Sequence, residues 1–259
     1  MNGNWTADNI PGLDGKTVII TGANSGLGYE AAREFARNGA EVIFASRDQD
    51  KAEAAIIQIR EELPDAELVF IEIDLASIKS IRKFAEEFNS RSKRLDILLN
   101  NAGIMLVPYG KTEDGFENTL GINHLGHFVL TGLLIDKLIK TPGARIVNVS
   151  SNAHYGGEID FSNFLYENGK GYTPMGAYGR SKLANLLFTY ELQRRFDKKD
   201  LDIIALAAHP GISATGLADH FLKHRMTWLI RMVMKLLFQS SAMGALPSLR
   251  SAVDQEAKG

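Results

Sequence analysis

A tyrosine and a lysine in the second half of the chain have a spacing that suits proton transfer. Tyr178 and Lys182 are four residues apart in a segment whose apolar residues recur every three or four positions, which predicts a helix over Pro174–Phe196. Side chains at that spacing share one helix face. A nearby ammonium stabilises a phenolate and lowers the tyrosine pKa from about 10. We therefore expect Tyr178 to act as a general acid or base. A structural tyrosine beside a surface lysine is the alternative.

The glycine loop Thr21–Gly28 is a second group of residues that could support chemistry. It follows a predicted strand and opens a predicted helix, with the sequence Thr21-Gly22-Ala23-Asn24-Ser25-Gly26-Leu27-Gly28. Glycine permits a positive φ at the turn and leaves no Cβ where a diphosphate would approach the backbone. The amide groups at the start of the next helix attract phosphate. The loop therefore predicts a dinucleotide site, and a tight turn without a ligand is the alternative.

Alternating short apolar runs and longer amphipathic stretches would position these two groups. The alternation predicts an α/β fold of the Rossmann type, a doubly wound parallel sheet with helices on both faces. We predict strands at Thr17–Thr21, Glu41–Ala45, Leu68–Ile73, Leu95–Asn100, Ala144–Val149 and Asp202–Ala207. We predict helices at Gly26–Asn38, Gln49–Glu62, Ser77–Ser90, Glu113–Lys140 and Pro174–Phe196. We expect residues 1–259 to form one domain, in which the polar connection 152–174 contacts the substrate.

The composition limits the kinds of site and partner. A net charge of -2 with interleaved acidic and basic residues does not favour nucleic acid. The chain has no cysteine, which excludes disulfides, a thiolate nucleophile and a cysteine zinc site. His124 and His127 are three residues apart, but no further ligands complete a metal-binding pattern, so we expect no metal. The polar N-terminal stretch, 1–13, lacks the apolar core of a signal peptide, and we expect a cytoplasmic protein.

Several motifs, in a fixed order along the chain, resemble the short-chain dehydrogenase/reductase family. The glycine loop resembles the TGxxxGxG pattern of that family rather than the commoner GxGxxG. The other motifs are Asn100-Asn101-Ala102-Gly103, Asn123, Ser150-Ser151, Tyr178-Gly179-Arg180-Ser181-Lys182 and His209-Pro210-Gly211-Ile212-Ser213-Ala214-Thr215. The resemblance runs from Thr17 to about Pro247. It is nearest to the branch that contains retinol dehydrogenases, the WW-domain oxidoreductase and protochlorophyllide reductases.

The resemblance implies an oxidoreductase that interconverts a carbonyl and an alcohol with a nicotinamide cofactor. In such a site Ser151 orients the substrate oxygen and Tyr178 exchanges a proton with it. Lys182 lowers the tyrosine pKa and holds the nicotinamide ribose, and Asn123 positions a water in the proton relay. Ser150 is the alternative to Ser151, and a structural amide bonded to backbone is the alternative for Asn123. The implied cofactor contacts are Gly22, Asn24, Ser25, Gly26, Leu27, Gly28, Arg47, Asp74, Leu75, Asn101, Ala102, Gly103, Tyr178, Lys182, Pro210, Gly211, Ile212 and Thr215.

The end of the second strand indicates which dinucleotide is preferred. That strand ends Phe44-Ala45-Ser46-Arg47, without the acid that usually binds the ribose hydroxyls of NAD. An arginine there can pair with the 2′-phosphate of NADP. We predict NADP(H), with NAD(H) as the alternative if Arg47 is only a solvated charge. By resemblance, Asp74 contacts the adenine amine, and a helix N-cap is its alternative role.

The apolar and basic segment Phe221–Ser240 bears on the substrate. We expect residues 212–240 to cover a largely apolar small molecule, and binding to a membrane surface is the alternative. The family has a seventh strand after this region, but only six strands are visible in the sequence. Two other functions remain open, a non-catalytic dinucleotide-binding regulator and a membrane-surface dehydrogenase of retinoids or lipids. The resemblance also implies a homodimer or homotetramer formed by the helices that carry Asn123 and Tyr178.

Overall fold

The computed structural model describes residues 5–211 and 240–257. In these ranges six parallel strands form one sheet in the order β3-β2-β1-β4-β5-β6. The chain begins at the centre, adds strands on one side, returns to the centre and adds strands on the other side. This topology confirms the predicted doubly wound α/β fold. The strands are β1 (Thr17–Thr21), β2 (Glu41–Ser46), β3 (Leu68–Glu72), β4 (Ile97–Asn100), β5 (Ala144–Val149) and β6 (Ile203–Ala208).

Helices cover both faces of this sheet. Val18 and Ile20 of β1 belong to one apolar cluster, whereas Ile19 belongs to another. Since side chains alternate across a strand, the two clusters lie on opposite faces of the sheet. Every residue of β1 is buried, as expected for a central parallel strand. The longer helices in the described ranges are α1 (Gly26–Arg37), α2 (Gln49–Glu62), α3 (Ile78–Arg91), α4 (Gly126–Ile139), α5 (Pro174–Lys198) and α6 (Ser241–Val253).

The predicted helix over Glu113–Lys140 is the clearest departure from the sequence prediction. Regular structure begins only at Asn118–Leu120 and passes through a π-helical segment, Gly121–Leu125, before α4. The buried Glu117 side chain caps this start by accepting from the amides of Thr119 (2.7 Å) and Leu120 (2.8 Å). Upstream, the chain turns at Gly115, where φ is +85°. The apolar period does not reveal a π-helical segment, because it differs from an α-helix by one residue in a single turn.

The other predicted bounds agree with the structure within two residues. The sheet has no seventh strand among residues 5–211 and 240–257, and the chain after Ser240 forms α6, which packs against α1. All of the predicted substrate cover except Ser240 lies outside the described residues. Because the strands are parallel, the segments that follow β1, β4 and β5 meet at one edge of the sheet, where ligands bind in such folds.

Candidate active site

The glycine loop has the backbone geometry that a phosphate site requires. Gly22 and Gly26 have positive φ, +69° and +55°. A Cβ added to Gly28 would lie 2.2 Å from the carbonyl oxygen of Gly22 and 2.7 Å from Nδ2 of Asn101. Ser25 is the N-cap of α1, and its hydroxyl does not cap the helix. The tight packing leaves room only for glycine and presents the start of α1 to a ligand.

Thr21 connects this loop to the end of β4. Its Oγ1 accepts from the backbone amides of Asn101 and Ala102, both at 2.9 Å, and Nδ2 of Asn101 donates to the Thr21 carbonyl at 2.9 Å. A Cβ on Gly103 would lie 3.1 Å from Oδ1 of Asn123 and 3.8 Å from Nζ of Lys182. The structure thus brings the Asn-Asn-Ala-Gly motif between the glycine loop and the Tyr178 region.

The end of β2 carries a polar group suited to an adenosine ribose. Ser46 has a buried hydroxyl without a hydrogen-bond partner in the described residues, and the next side chain, Arg47, is 73% exposed. Nη1 of Arg47 lies 4.0 Å from Oδ2 of Asp74. A buried unpaired hydroxyl beside an exposed guanidinium fits the ribose end of a dinucleotide.

Asp74 does not cap a helix, so that alternative is wrong. Ser77 is the N-cap of α3 and accepts from the amide of Ser80, whereas Oδ1 of Asp74 accepts from the amide of Ala76 at 2.9 Å. The helix begins later than the Asp74 position because the chain makes a turn there first. Among the other predicted contacts, Asn24 and Leu27 are half-buried and Leu75 is buried.

Helix α5 places Tyr178 and Lys182 on one face, close to the end of β5. Nζ of Lys182 lies 5.6 Å from the centre of the Tyr178 ring and donates to the carbonyl of Val149 at 2.9 Å. Burial lowers the pKa of Lys182 to about 8. Burial also raises the pKa of Tyr178, against the opposing effect of a hydrogen bond with the Ser151 side chain.

This balance differs from the expectation that Lys182 lowers the pKa of Tyr178. The ammonium contacts the Val149 carbonyl, and Tyr178 as a whole is only 9% exposed. Removal of both groups from water disfavours the charged form of each, so the tyrosine pKa rises and the lysine pKa falls. The structure therefore brings the predicted pair together, but burial and not the lysine determines the direction of the tyrosine shift.

The neighbouring serines Ser150 and Ser151 have different surroundings. Oγ of Ser150 is buried and donates to the backbone carbonyl of Lys182 at 2.9 Å, which joins β5 to α5. Oγ of Ser151 accepts from the amide of Ala153 at 3.2 Å, and the Ser151 side chain lowers the pKa of Tyr178 against the effect of burial. A hydroxyl that donates to a helix carbonyl is less available to a substrate, so these contacts favour Ser151 over Ser150.

Asn123 lies in the π-helical segment with its side chain fully buried and paired. Its Oδ1 accepts from the amide of Ile104 at 2.7 Å, and its Nδ2 donates to the Ile104 carbonyl at 2.9 Å and to Oγ of Ser181 at 3.0 Å. These contacts are the ones expected if Asn123 is a structural amide bonded to backbone, which is the alternative to its water-positioning role. They join the segment after β4 to α5, and the water-positioning role stays a prediction.

His127 is a connection that the sequence analysis missed. Its Nε2 lies 2.9 Å from Oγ1 of Thr21 and its Nδ1 lies 3.0 Å from the carbonyl of Asn123. Burial lowers its pKa to about 4, so the ring is neutral at pH 7. The Thr21 hydroxyl accepts from two amides, and its own proton suits an unprotonated Nε2. We assign the remaining proton to Nδ1, which then donates to Asn123. Only its position four residues after Asn123 could have indicated this role.

Among the residues that the structure describes, His124 and His127 have no neighbours that would complete a metal site. Both ring nitrogens of His127 have protein partners, and Nδ1 of His124 lies 3.1 Å from Oδ1 of Asn185. In the part of the chain that the structure describes, no three histidine, aspartate or glutamate side chains gather around one point.

After β6 the chain turns at Gly211, whose φ is +66° and whose amide donates to Nδ1 of His209 at 3.0 Å. Pro210 precedes this turn, whereas Ile212 and Thr215, two further predicted cofactor contacts, lie outside the described residues. None of the described helices combines the length and apolar character needed to cross a bilayer.

Comparisons with known proteins agree with this geometry. Residues 16–225 match the short chain dehydrogenase family. The chain is 45% identical over 247 residues to retinol dehydrogenase 13 of Homo sapiens, covering 94% of this chain and 74% of that protein. A crystal structure of an uncharacterized protein from Mycobacterium paratuberculosis is 42% identical and has a TM-score of 0.79, covering 98% of this chain and 82% of that one. A short chain dehydrogenase from Shigella flexneri, complexed with NADP, shares the fold at 22% identity and a TM-score of 0.74, covering 96% of each chain.

These matches cover most of the chain and agree with the family resemblance seen in the sequence. The relatives include several retinol dehydrogenases, the branch that the sequence motifs resemble. The chain belongs to the short-chain dehydrogenase family and is an NAD(P)-dependent oxidoreductase that acts on CH-OH groups.

Proposed function

We propose that this protein is an NADP-dependent dehydrogenase/reductase that interconverts an apolar alcohol and its aldehyde or ketone. The observation that carries the proposal is the close meeting of two groups at one sheet edge. Gly103 lies next to the glycine loop. A Cβ added to it would be 3.8 Å from Nζ of Lys182, which shares a helix face with Tyr178. The relatives are named retinol dehydrogenases, which suggests a substrate with a hydroxyl at the end of a long apolar chain.

Ser151, Tyr178 and Lys182 would together carry out the proton transfer at the substrate oxygen. A bound nicotinamide supplies or accepts the hydride. Ser151 donates a hydrogen bond that orients the substrate oxygen, and Tyr178 gives its proton to that oxygen in reduction or takes one in oxidation. Lys182, when charged, lies close enough to the ring to stabilise a phenolate that forms during the reaction. Asn123 connects α5 with the segment after β4 and keeps these groups in register.

The preference for NADP(H) rests on Ser46 and Arg47. A guanidinium pairs with phosphate in a planar, bidentate geometry, and the adjacent hydroxyl can donate to the ribose or its phosphate. The Asp74 carboxylate, 4.0 Å from Arg47, would then face the adenine. NAD(H) stays the alternative, since the likeness to the Shigella flexneri protein extends only to the fold.

The remaining expectations follow from this proposal. We infer one domain that spans residues 1–259, with residues 212–240 over the substrate, in a cytoplasmic protein. Exposed apolar side chains on α4 and α5 support a homodimer or homotetramer formed through those helices: Phe128 and Leu187. A regulator without turnover would have no need of a buried tyrosine beside a buried lysine, so the pair Tyr178 and Lys182 favours an enzyme. For a retinoid substrate, association with a membrane surface stays the second alternative.

A substrate panel tests the proposed function. The full chain is mixed with NADPH and aldehydes or ketones of increasing apolar length, retinal included, or with NADP and the matching alcohols, and nicotinamide absorbance is followed. We expect turnover that improves with apolar length. Tight NADPH binding without turnover of any compound in the panel would instead support the regulator.

A further inference from the structure

We propose that Arg180 is a positioning residue that holds residues 157–166 against α5 and thereby sets the affinity for the substrate. The inference rests on the proposed function, because it concerns the same site. Arg180 stands between Tyr178 and Lys182 in the chain, and its side chain turns to the segment that follows Ser151.

The guanidinium of Arg180 is buried and bound by backbone carbonyls of one segment. Only 6% of the residue is exposed. Nε donates to the carbonyl of Glu158 at 2.8 Å, and Nη1 donates to the carbonyls of Asn163 (2.7 Å) and Phe164 (2.9 Å). The guanidinium also lies 3.9 Å from the centre of the Tyr166 ring, a cation–π contact. Glu158, Asn163, Phe164 and Tyr166 therefore all contact the buried guanidinium of Arg180.

The buried charge of Arg180 depends on residues 157–166 for the groups that replace its water. No carboxylate among residues 5–211 and 240–257 lies within the 4.0 Å of an ion pair with it. A buried cation is costly unless hydrogen bonds replace its water. Here the three carbonyls and the Tyr166 ring provide that replacement. If residues 157–166 moved away, Arg180 would lose its partners, so the buried charge favours one position of the segment.

A close backbone contact aligns the same segment with Tyr178. A Cβ on Gly157 would lie 2.4 Å from the carbonyl oxygen of Gly179, and a Cβ on Gly179 would lie 2.8 Å from the carbonyl oxygen of Ala153. Gly179 lies directly between Tyr178 and Arg180 in the chain. The backbone after Ser151 thus rests on α5 at the position of the proposed catalytic tyrosine, and Arg180 fastens the next part of it.

An aromatic series extends this support to the segment after β4. The Tyr166 ring packs edge to face on Tyr172 with ring centres 5.4 Å apart, and Tyr172 packs in the same way on Tyr109, also at 5.4 Å. The Tyr172 hydroxyl donates to the carbonyl of Val107 at 2.7 Å. Arg180 therefore stabilises two segments that flank the tyrosine, one after β4 and one after β5.

This support should act on binding more than on chemistry. When residues 157–166 are already ordered before the substrate binds, binding does not incur the entropy cost of ordering them. The segment offers Ile159, Phe164 and Leu165 as half-buried apolar side chains for an apolar substrate. Arg180 touches neither the Tyr178 hydroxyl nor Lys182 through any of its described contacts, so the proton-transfer step keeps its own groups.

Arg180→Met tests the proposal because it keeps the length and removes the charge and donors. We expect the KM for the apolar substrate to rise about tenfold, with kcat within threefold and the Kd for NADPH unchanged. Amide hydrogen exchange should become faster in residues 157–166 and stay unchanged in β4 and β5. Arg194→Met, at a 62% exposed site of the same helix, is the matched control and should leave all four quantities unchanged.

An unchanged KM and unchanged exchange in Arg180→Met would overturn the proposal, and so would a loss of kcat at constant KM. If that variant does not fold, Arg180→Lys keeps the charge without the planar fork and should still raise KM at least threefold; wild-type KM in it would overturn the proposal. If the wild-type protein turns over no substrate, the proposed function fails, while the exchange measurement still decides whether Arg180 holds the segment.

Discussion

Lys182 directs its ammonium to the carbonyl of Val149, 2.9 Å away, while that ammonium lies 5.6 Å from the centre of the Tyr178 ring. The lysine thus joins α5 to the end of β5 at the same place where it approaches the tyrosine. Burial raises the pKa of Tyr178 and lowers that of Lys182 to about 8. The phenol keeps its proton at neutral pH, which suits it to donate to a carbonyl oxygen, and the lysine charge is the one that varies near pH 8.

The glycine loop gives the first prediction. Gly28→Ala should weaken NADPH binding at least tenfold and lower the free energy of unfolding by about 1–3 kcal/mol, since the new Cβ would meet the Gly22 carbonyl oxygen at 2.2 Å. Fluorescence titration with NADPH and urea unfolding measure both effects.

Gly132→Ala is the matched control for that variant. An added Cβ at Gly132 of α4 meets nothing within 4 Å. Alanine should therefore stabilise the protein by about 0.5–1 kcal/mol and leave NADPH binding unchanged. Equal NADPH affinity in both variants would show that the loop does not hold the cofactor.

Arg47→Ala should weaken NADPH and spare NADH. Arg47 is 73% exposed, so solvent screens its charge, and we expect a loss of about tenfold in NADPH affinity with a loss below twofold for NADH. The effect should shrink as salt is added. Lys51→Ala, at a 70% exposed site nearby, controls for a general loss of positive charge. A parallel decline for both dinucleotides would contradict the preference for NADP.

The two serines should separate turnover from stability. Ser151→Ala should lower kcat about a hundredfold, because the substrate oxygen loses its orienting donor, with little change in unfolding. Ser150→Ala should keep kcat within threefold and lower the free energy of unfolding by about 1–2 kcal/mol, because the Lys182 carbonyl loses a buried partner. The reverse pattern in steady-state kinetics and urea unfolding would assign the substrate contact to Ser150.

His127 should make the protein sensitive to acid. The pKa of its ring is about 4 in the folded state, below the value of 6.5 expected on unfolding. The unfolded chain therefore binds the proton first, and stability present above pH 6.5 is lost as the pH falls toward 4. From that difference we expect a loss of about 3 kcal/mol from this residue over the window.

His127→Gln removes this titrating group and should reduce the acid-dependent slope of the stability profile, measured by urea unfolding at intervals of pH; the remaining slope includes His124, whose pKa burial also lowers. His209→Gln, at an exposed histidine, should leave the profile as in the wild type. A wild-type slope in His127→Gln would mean that other groups cause the acid sensitivity.

Local features explain what the sequence could predict. The glycine loop follows from the φ angles that only glycine adopts readily, and β1 follows from its unbroken apolar run. Tyr178 and Lys182 share a face because helix periodicity requires it. In each of these cases neighbours in sequence decide the structure.

Long-range contacts explain what the sequence could not predict. His127 contacts Thr21, 106 positions away, and Asn123 pairs with Ile104 across 19 positions. The direction of the Tyr178 pKa shift depends on burial by several elements, and the partners of Arg180 depend on the path of a long connection. No local pattern contains such information, because it exists only after the chain has folded.

The most direct test of the proposed mechanism is the steady-state turnover of Tyr178→Phe, measured beside Tyr190→Phe. Tyr190 lies on the same helix at a 64% exposed position, so it controls for the loss of any α5 phenol. We predict that Tyr178→Phe loses kcat by about 10²–10⁴ with the Kd for NADPH within threefold of wild type, while Tyr190→Phe keeps both values. Wild-type turnover in Tyr178→Phe would contradict the assignment of the proton transfer to this tyrosine.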